Sequence, residues 1–84
     1  MSYKMEILRR AQKELSQLPD QEYERVKEAI RNLSNDPRPP GSKKLIGRNG
    51  WRIRVGDFRV IYEIADGQQS VTVLHIGHRR DVYM

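Results

Sequence analysis

Three arginines, Arg52, Arg54 and Arg59, flank the dipeptide Gly56-Asp57. Glycine in the first position of a two-residue loop suits a type II′ hairpin turn. Taken literally, that turn pairs Val55 with Phe58, Arg54 with Arg59, Ile53 with Val60 and Arg52 with Ile61. Side chains alternate between the faces of a strand. Trp51, Ile53, Val55, Phe58, Val60 and Tyr62 are therefore expected on one face as core, and Arg52, Arg54 and Arg59 on the other. Like charges directly opposite each other cost a few tenths to about 1 kcal/mol. A bound phosphate would offset that cost, because guanidinium forks match phosphate oxygens. An ordinary solvated face with splayed arginines is the alternative.

A second group follows the last apolar run: Gly77-His78-Arg79-Arg80-Asp81-Val82-Tyr83. A tyrosine ring can stack on an unpaired base while arginines hold the backbone beside it. Tyr83 could equally belong to a frayed terminus. His75 is expected on the core face if the preceding turn, at Asp66-Gly67, has two residues. The sequence shows no Cys or His pair at metal-ligand spacing, no phosphate-cradling glycine loop and no serine-nucleophile motif. No metal or cofactor is expected. The tools available for chemistry are cations and a phenol.

The elements that must position these groups follow from periodicity. Tyr3 to Ile7 alternates as a short first strand. Leu8, Ala11, Leu15 and Leu18 recur at helical spacing, and Tyr23, Val26, Ile30 and Leu33 repeat it after Pro19-Asp20. Tyr23 reads as core. Two facing stripes predict a helical hairpin. The proline-rich stretch Asn35 to Gly41 ends the helical half. Trp51 to Val55, Phe58 to Ile64 and Val71 to Ile76 then read as three strands. The expectation is an α+β domain over residues 1–84: an N-terminal strand, a helical hairpin, then a three-stranded antiparallel meander, forming one small sheet with helices on one face. Each half is too short to build a core alone.

Charge is distributed unevenly. Met1 to Asp36 holds seven Lys/Arg against seven Asp/Glu, and Pro37 to Met84 holds nine against four, so the net charge of +5 lies wholly in the second half. A concentrated basic surface attracts polyphosphates, nucleic acid foremost; a merely soluble basic surface is the other reading. The absence of cysteine and of any apolar run near the roughly 18 residues of a membrane helix points to a cytoplasmic protein without membrane association.

With these residues in place, the chain resembles the RelE/ParE superfamily of type II toxins over essentially its whole length. The resemblance is carried by Leu18-Pro19, by Lys44-Leu45-Ile46-Gly47, by the segment from Trp51 to Tyr62, and by Ile76 to Tyr83. It implies a RelE-like fold and a metal-independent endoribonuclease that enters the ribosomal A site. There the ribose 2′-OH of the mRNA attacks the adjacent phosphate. The family's catalytic set falls on Arg52, Arg54, Arg59, Arg79 and Tyr83. Lys43, Lys44, Arg48, His78 and Arg80 are expected to contact RNA or the ribosome. A cognate antitoxin is implied as partner, with promoter DNA bound only through the toxin–antitoxin pair. Some relatives carry lysines where this chain has Arg52 and Arg54. Arginine does not surrender its proton, so a general-base role there is in doubt. The alternative within the superfamily is a ParE-like inhibitor of DNA gyrase on the same fold.

Overall fold

The computed structural model describes residues 2–78. Strand β1 (Lys4–Ile7) leads into helices α1 (Arg9–Ser16) and α2 (Asp20–Leu33). Four further strands follow: β2 (Lys43–Lys44), β3 (Trp51–Val55), β4 (Phe58–Ala65) and β5 (Ser70–His78). They form one sheet of order β1-β5-β4-β3-β2, antiparallel except where β1 runs parallel to β5. The strand–helical hairpin–meander architecture is thus the expected one. The meander is extended by β2, a two-residue strand that no periodicity could announce.

The helical stripes bury as their spacing requires. Ala11, Val26, Ile30 and Leu33 are enclosed against Ile53, Val60, Tyr62, Val71, Val73 and Ile76. Burial on this scale, at about 25 cal/mol per Å² of apolar surface, is the main force holding helices to sheet. Tyr23 is half-buried, and Leu8 precedes α1 and is exposed, so it does not join the stripe. Trp51 is half-buried because it opens β3 at the margin of the core, where the Arg38 guanidinium lies 5.1 Å from its ring centroid.

The first hairpin has the expected register, with Val55 opposite Phe58 and Arg54 opposite Arg59. Gly56 has φ +60°, as the first position of a type II′ turn demands, and the Arg25 guanidinium of α2 approaches it closely enough to crowd a Cβ. The second hairpin departs from expectation. Ala65 pairs with Ser70, and the connection is a 3-10 turn (Asp66–Gln68) followed by Gln69 in the left-handed region at φ 49°. Further along, Tyr62 pairs with Val73 but Ile61 pairs with His75, so Leu74 is an extra residue, a β-bulge. The bulge reverses the facing of everything after it. Val71, Val73 and Ile76 are core, while His75 turns to the opposite face, which corrects its expected place in the core.

The proline-rich stretch is tied down from both sides. The buried Tyr62 hydroxyl donates to the Pro37 carbonyl at 2.8 Å, and burial pushes this phenol up to about 12, so it remains a donor across the ordinary pH range. Arg38 reaches Asp66 through both terminal nitrogens, at 2.9 and 3.3 Å, and the Tyr3 hydroxyl donates to the same carboxylate at 2.8 Å. Arg38 first, then Tyr3, holds the Asp66 carboxyl below its usual range. These contacts deliver the chain to β2 in register, with Lys43 opposite Arg52. Replacing Tyr62 with Phe leaves the enclosed Pro37 carbonyl without its donor and should destabilise the fold by about 1–2 kcal/mol. Urea unfolding of the two proteins measures it, and coincident midpoints would show that this hydrogen bond holds nothing.

Candidate functional site

The sheet has two unlike faces. The helices cover one. Across the other, cross-strand partners line up into rows, since directly paired residues share a face. One row runs Lys43, Arg52, Ile61, His75. The next, toward the Gly56 turn, runs Arg54, Arg59, Gly77. At the far end of the same face lies a row of Glu6, Thr72 and Glu63, both glutamates exposed. The hairpin half of the face is therefore the strongly positive one, while at the other end the two glutamates outnumber Lys4, which shares their face, so an anionic ligand is favoured at the arginines.

The opposed pair Arg54 and Arg59 divide the space between them. Arg54 is exposed, whereas Arg59 is half-buried with Nε and Nη1 shielded from water. Gly77 places no side chain beside Arg59 on β5, so among the paired residues of that row the side chains are the two arginines. A guanidinium shielded from solvent acts on a phosphate more strongly than one in bulk water, because less dielectric screening intervenes.

The structure thus brings Arg52, Arg54 and Arg59 onto one face, with Lys43 at its margin. Lys44 lies in the Trp51–Tyr62 row, on the helix-covered side, and is exposed at the sheet edge. Arg48 is exposed in the turn between β2 and β3. His78 shares a row with Val55 and Phe58 and meets the Phe58 ring edge-on at 5.8 Å, so it is not gathered with the arginines. Arg79, Arg80 and Tyr83 lie outside the described residues. Among the described residues no three His, Cys, Asp or Glu side chains are grouped so as to hold a metal ion, and no helix is long and apolar enough to cross a membrane.

One pair at this face was missed by the reading of the sequence. The Glu14 carboxylate, from α1, meets His75 Nδ1 at 2.8 and 2.9 Å and accepts the Ile76 backbone N–H at 2.8 Å. Partial burial pushes the Glu14 carboxyl up; the Ile76 N–H, the His75 ring and Arg10 outweigh it and leave the group below its ordinary value. A carboxyl whose value is lowered on folding stabilises the fold above its unfolded value, and that contribution fades as pH falls through the folded one. Glu14→Gln should therefore lower stability near neutrality, with the difference from the wild type shrinking as acid is added. Denaturant melts across the acid range test this, and a pH-independent difference would count against it.

Two helices on a five-stranded mixed sheet are the fold that this chain shares with solved structures. Residues 5–83 match the family model for the ParE toxin of the type II toxin–antitoxin system parDE. The toxin RelG of Mycobacterium tuberculosis is 31% identical over 99% of this chain and 98% of its own. Among solved structures, the archaeal RelE–RelB complex from Pyrococcus horikoshii matches with TM-score 0.84 and 30% identity, covering 94% of this chain and 97% of that one. The RelBE2 toxin–antitoxin complex from M. tuberculosis matches with TM-score 0.82 and 27% identity, over 94% and 100% of the two chains. The chain belongs to the RelE/ParE superfamily, and it is a toxin of the type II toxin–antitoxin class.

Proposed function

We propose that this toxin is a metal-independent, ribosome-dependent endoribonuclease that cuts mRNA in the A site and thereby inhibits translation in the cytoplasm. The observation that carries the reading is the gathering of Arg52, Arg54 and Arg59 on one face, beside Lys43. The 2′-oxygen attacks the adjacent phosphorus and the P–O5′ bond breaks, leaving a cyclic phosphate and a free 5′-OH. Negative charge grows on the phosphorane and then on the leaving oxygen. Fixed cations stabilise it without reorganising, which contributes several kcal/mol. Arg59 and Arg79 act on the scissile phosphate and leaving group, and Arg52 and Arg54 grip the flanking backbone. Tyr83 stacks on or orients a nucleotide. Lys43, Lys44, Arg48, His78 and Arg80 contact RNA or the ribosome.

The test is primer extension on a defined mRNA, with and without programmed ribosomes. Ribosome-dependent cuts are expected, and Arg59→Ala should reduce them by about 100-fold or more, as loss of one charge-stabilising donor does. The variant should remain folded, since this side chain faces away from the helices. Because the matching family model is that of a ParE toxin, absence of cutting by folded protein would redirect the reading to inhibition of DNA gyrase.

The toxin is neutralised by a cognate antitoxin, as the RelE–RelB pairing of its structural relatives suggests. Promoter DNA is bound only by the pair. An open groove of about 280 Å³ runs beside the edge strand β1, walled by Met5, Ile7, Leu15 and Ile30 and rimmed by Lys27 and Arg31. It suits an amphipathic antitoxin segment carrying acidic residues. Reversing both rim charges, Lys27→Glu with Arg31→Glu, should weaken antitoxin binding at least tenfold at low salt, on the order of 1.4 kcal/mol. Calorimetric titration checks it, and unchanged affinity would place the antitoxin elsewhere.

A further inference from the structure

The arginines of the basic face can stabilise charge but cannot take a proton, because guanidinium does not deprotonate in proteins. His75 stands in the same row as Ile61 and Arg52. Arg59 pairs with Gly77, two residues along β5, so it is the diagonal neighbour of His75. Diagonal positions lie roughly 7–8 Å apart, a gap that a phosphodiester can span. We propose that His75, held by Glu14, accepts the proton of the attacking 2′-hydroxyl, an assignment that rests on the endoribonuclease reading above.

The geometry of the pair supports the role. Glu14 Oε1 lies 2.9 Å from His75 Nδ1 and accepts the Ile76 N–H, while Oε2 accepts from Arg10 Nε at 3.1 Å. A carboxylate can only accept, so Nδ1 donates, and in the neutral ring Nε2 is then the nitrogen that carries the lone pair. The two nitrogens lie on opposite edges of the ring. Pinning Nδ1 to α1 therefore turns Nε2 away from that helix, and Nε2 makes no hydrogen bond among the described residues. The side chains are 20% and 23% exposed, mostly shielded from water yet reachable. In the step, the proton of the 2′-hydroxyl passes to Nε2, the O2′–P bond forms and the P–O5′ bond breaks. The leaving oxygen takes its proton from water. Glu14 is a positioning residue and His75 a catalytic one. Among the described residues Glu14 from α1 meets the ring and Arg10 holds that carboxylate; on the same sheet face Arg52 of β3 shares the ring's cross-strand row and Arg59 of β4 is its diagonal neighbour.

The experiment is single-turnover cleavage of a defined mRNA on programmed ribosomes at several pH values. A general base acts only in its deprotonated form, so the wild-type rate should rise with pH. His75→Gln should cut about 100-fold or more slowly and lose that rise. Glu14→Gln keeps an oxygen for the Ile76 N–H; it should slow cleavage about tenfold and alter the pH profile, which a purely structural contact would not do. If His75→Gln does not fold, Glu14→Gln decides on the same two readouts. A wild type that cuts, with variants within about threefold of it and an unchanged profile, overturns the assignment while sparing the endoribonuclease reading. A wild type that does not cut overturns both.

Discussion

Strand parity is the constraint on which the rest of this structure depends. Side chains alternate strictly along a strand, so one register decides at once which residues are enclosed and which are presented. The Gly56-Asp57 turn sets that register for β3 and β4. It sends Ile53, Val60 and Tyr62 into the core and leaves Arg52, Arg54 and Arg59 together on the opposite surface. A slip of one residue would exchange the two sets. The fold cannot then be stable with its arginines misplaced, because the same slip would expose the core. Presentation of the cationic face is a consequence of folding correctly.

The edges of the sheet are finished by contacts from elsewhere in the chain. At one edge, Tyr62, Arg38, Asp66 and Tyr3 tie the proline-rich stretch to β4, the 3-10 turn and the segment before β1. That tie places Lys43 and Lys44 as an added strand beside β3. At the other edge β1 stops at Ile7, whose partner is Val73. Beyond it α1 takes over, and the Glu14 carboxylate accepts the Ile76 N–H that a neighbouring strand would otherwise have taken. The bulge at Leu74 falls where β1 gives way to α1, and it brings His75 round to the basic face.

The electrostatics of that face follow from the same geometry. Glutamates occupy the end formed by β1, β5 and β4, and arginines the end near the hairpin turn. One arginine of the opposed pair is sheltered and the other exposed, so two like charges coexist without competing for the same volume. Such an arrangement favours a ligand with several negative oxygens, and guanidinium groups do not give up their protons.

Much of this was legible in the residues themselves. Helical stripes, the Gly56-Asp57 turn and period-2 alternation are local patterns, and each acts over a few neighbouring positions. They were enough for the helices, the three long strands, the first hairpin's register and the shared face of Arg52, Arg54 and Arg59. The second hairpin was not legible, because its length rests on a 3-10 turn and a left-handed Gln69 rather than on the Asp66-Gly67 signal. Nor was the place of His75. Alternation from Val71 and Val73 carries it into the core unless a residue is inserted, and the insertion at Leu74 is set where β5 exchanges β1 for α1. The same exchange brings Glu14 to His75 from 61 positions away in the chain. The sequence by itself determined which face of the central hairpin is basic, because parity is a property of adjacent residues. Only the tertiary structure decided where that parity breaks and which carboxylate meets the histidine, because both depend on an edge shared by segments remote in sequence.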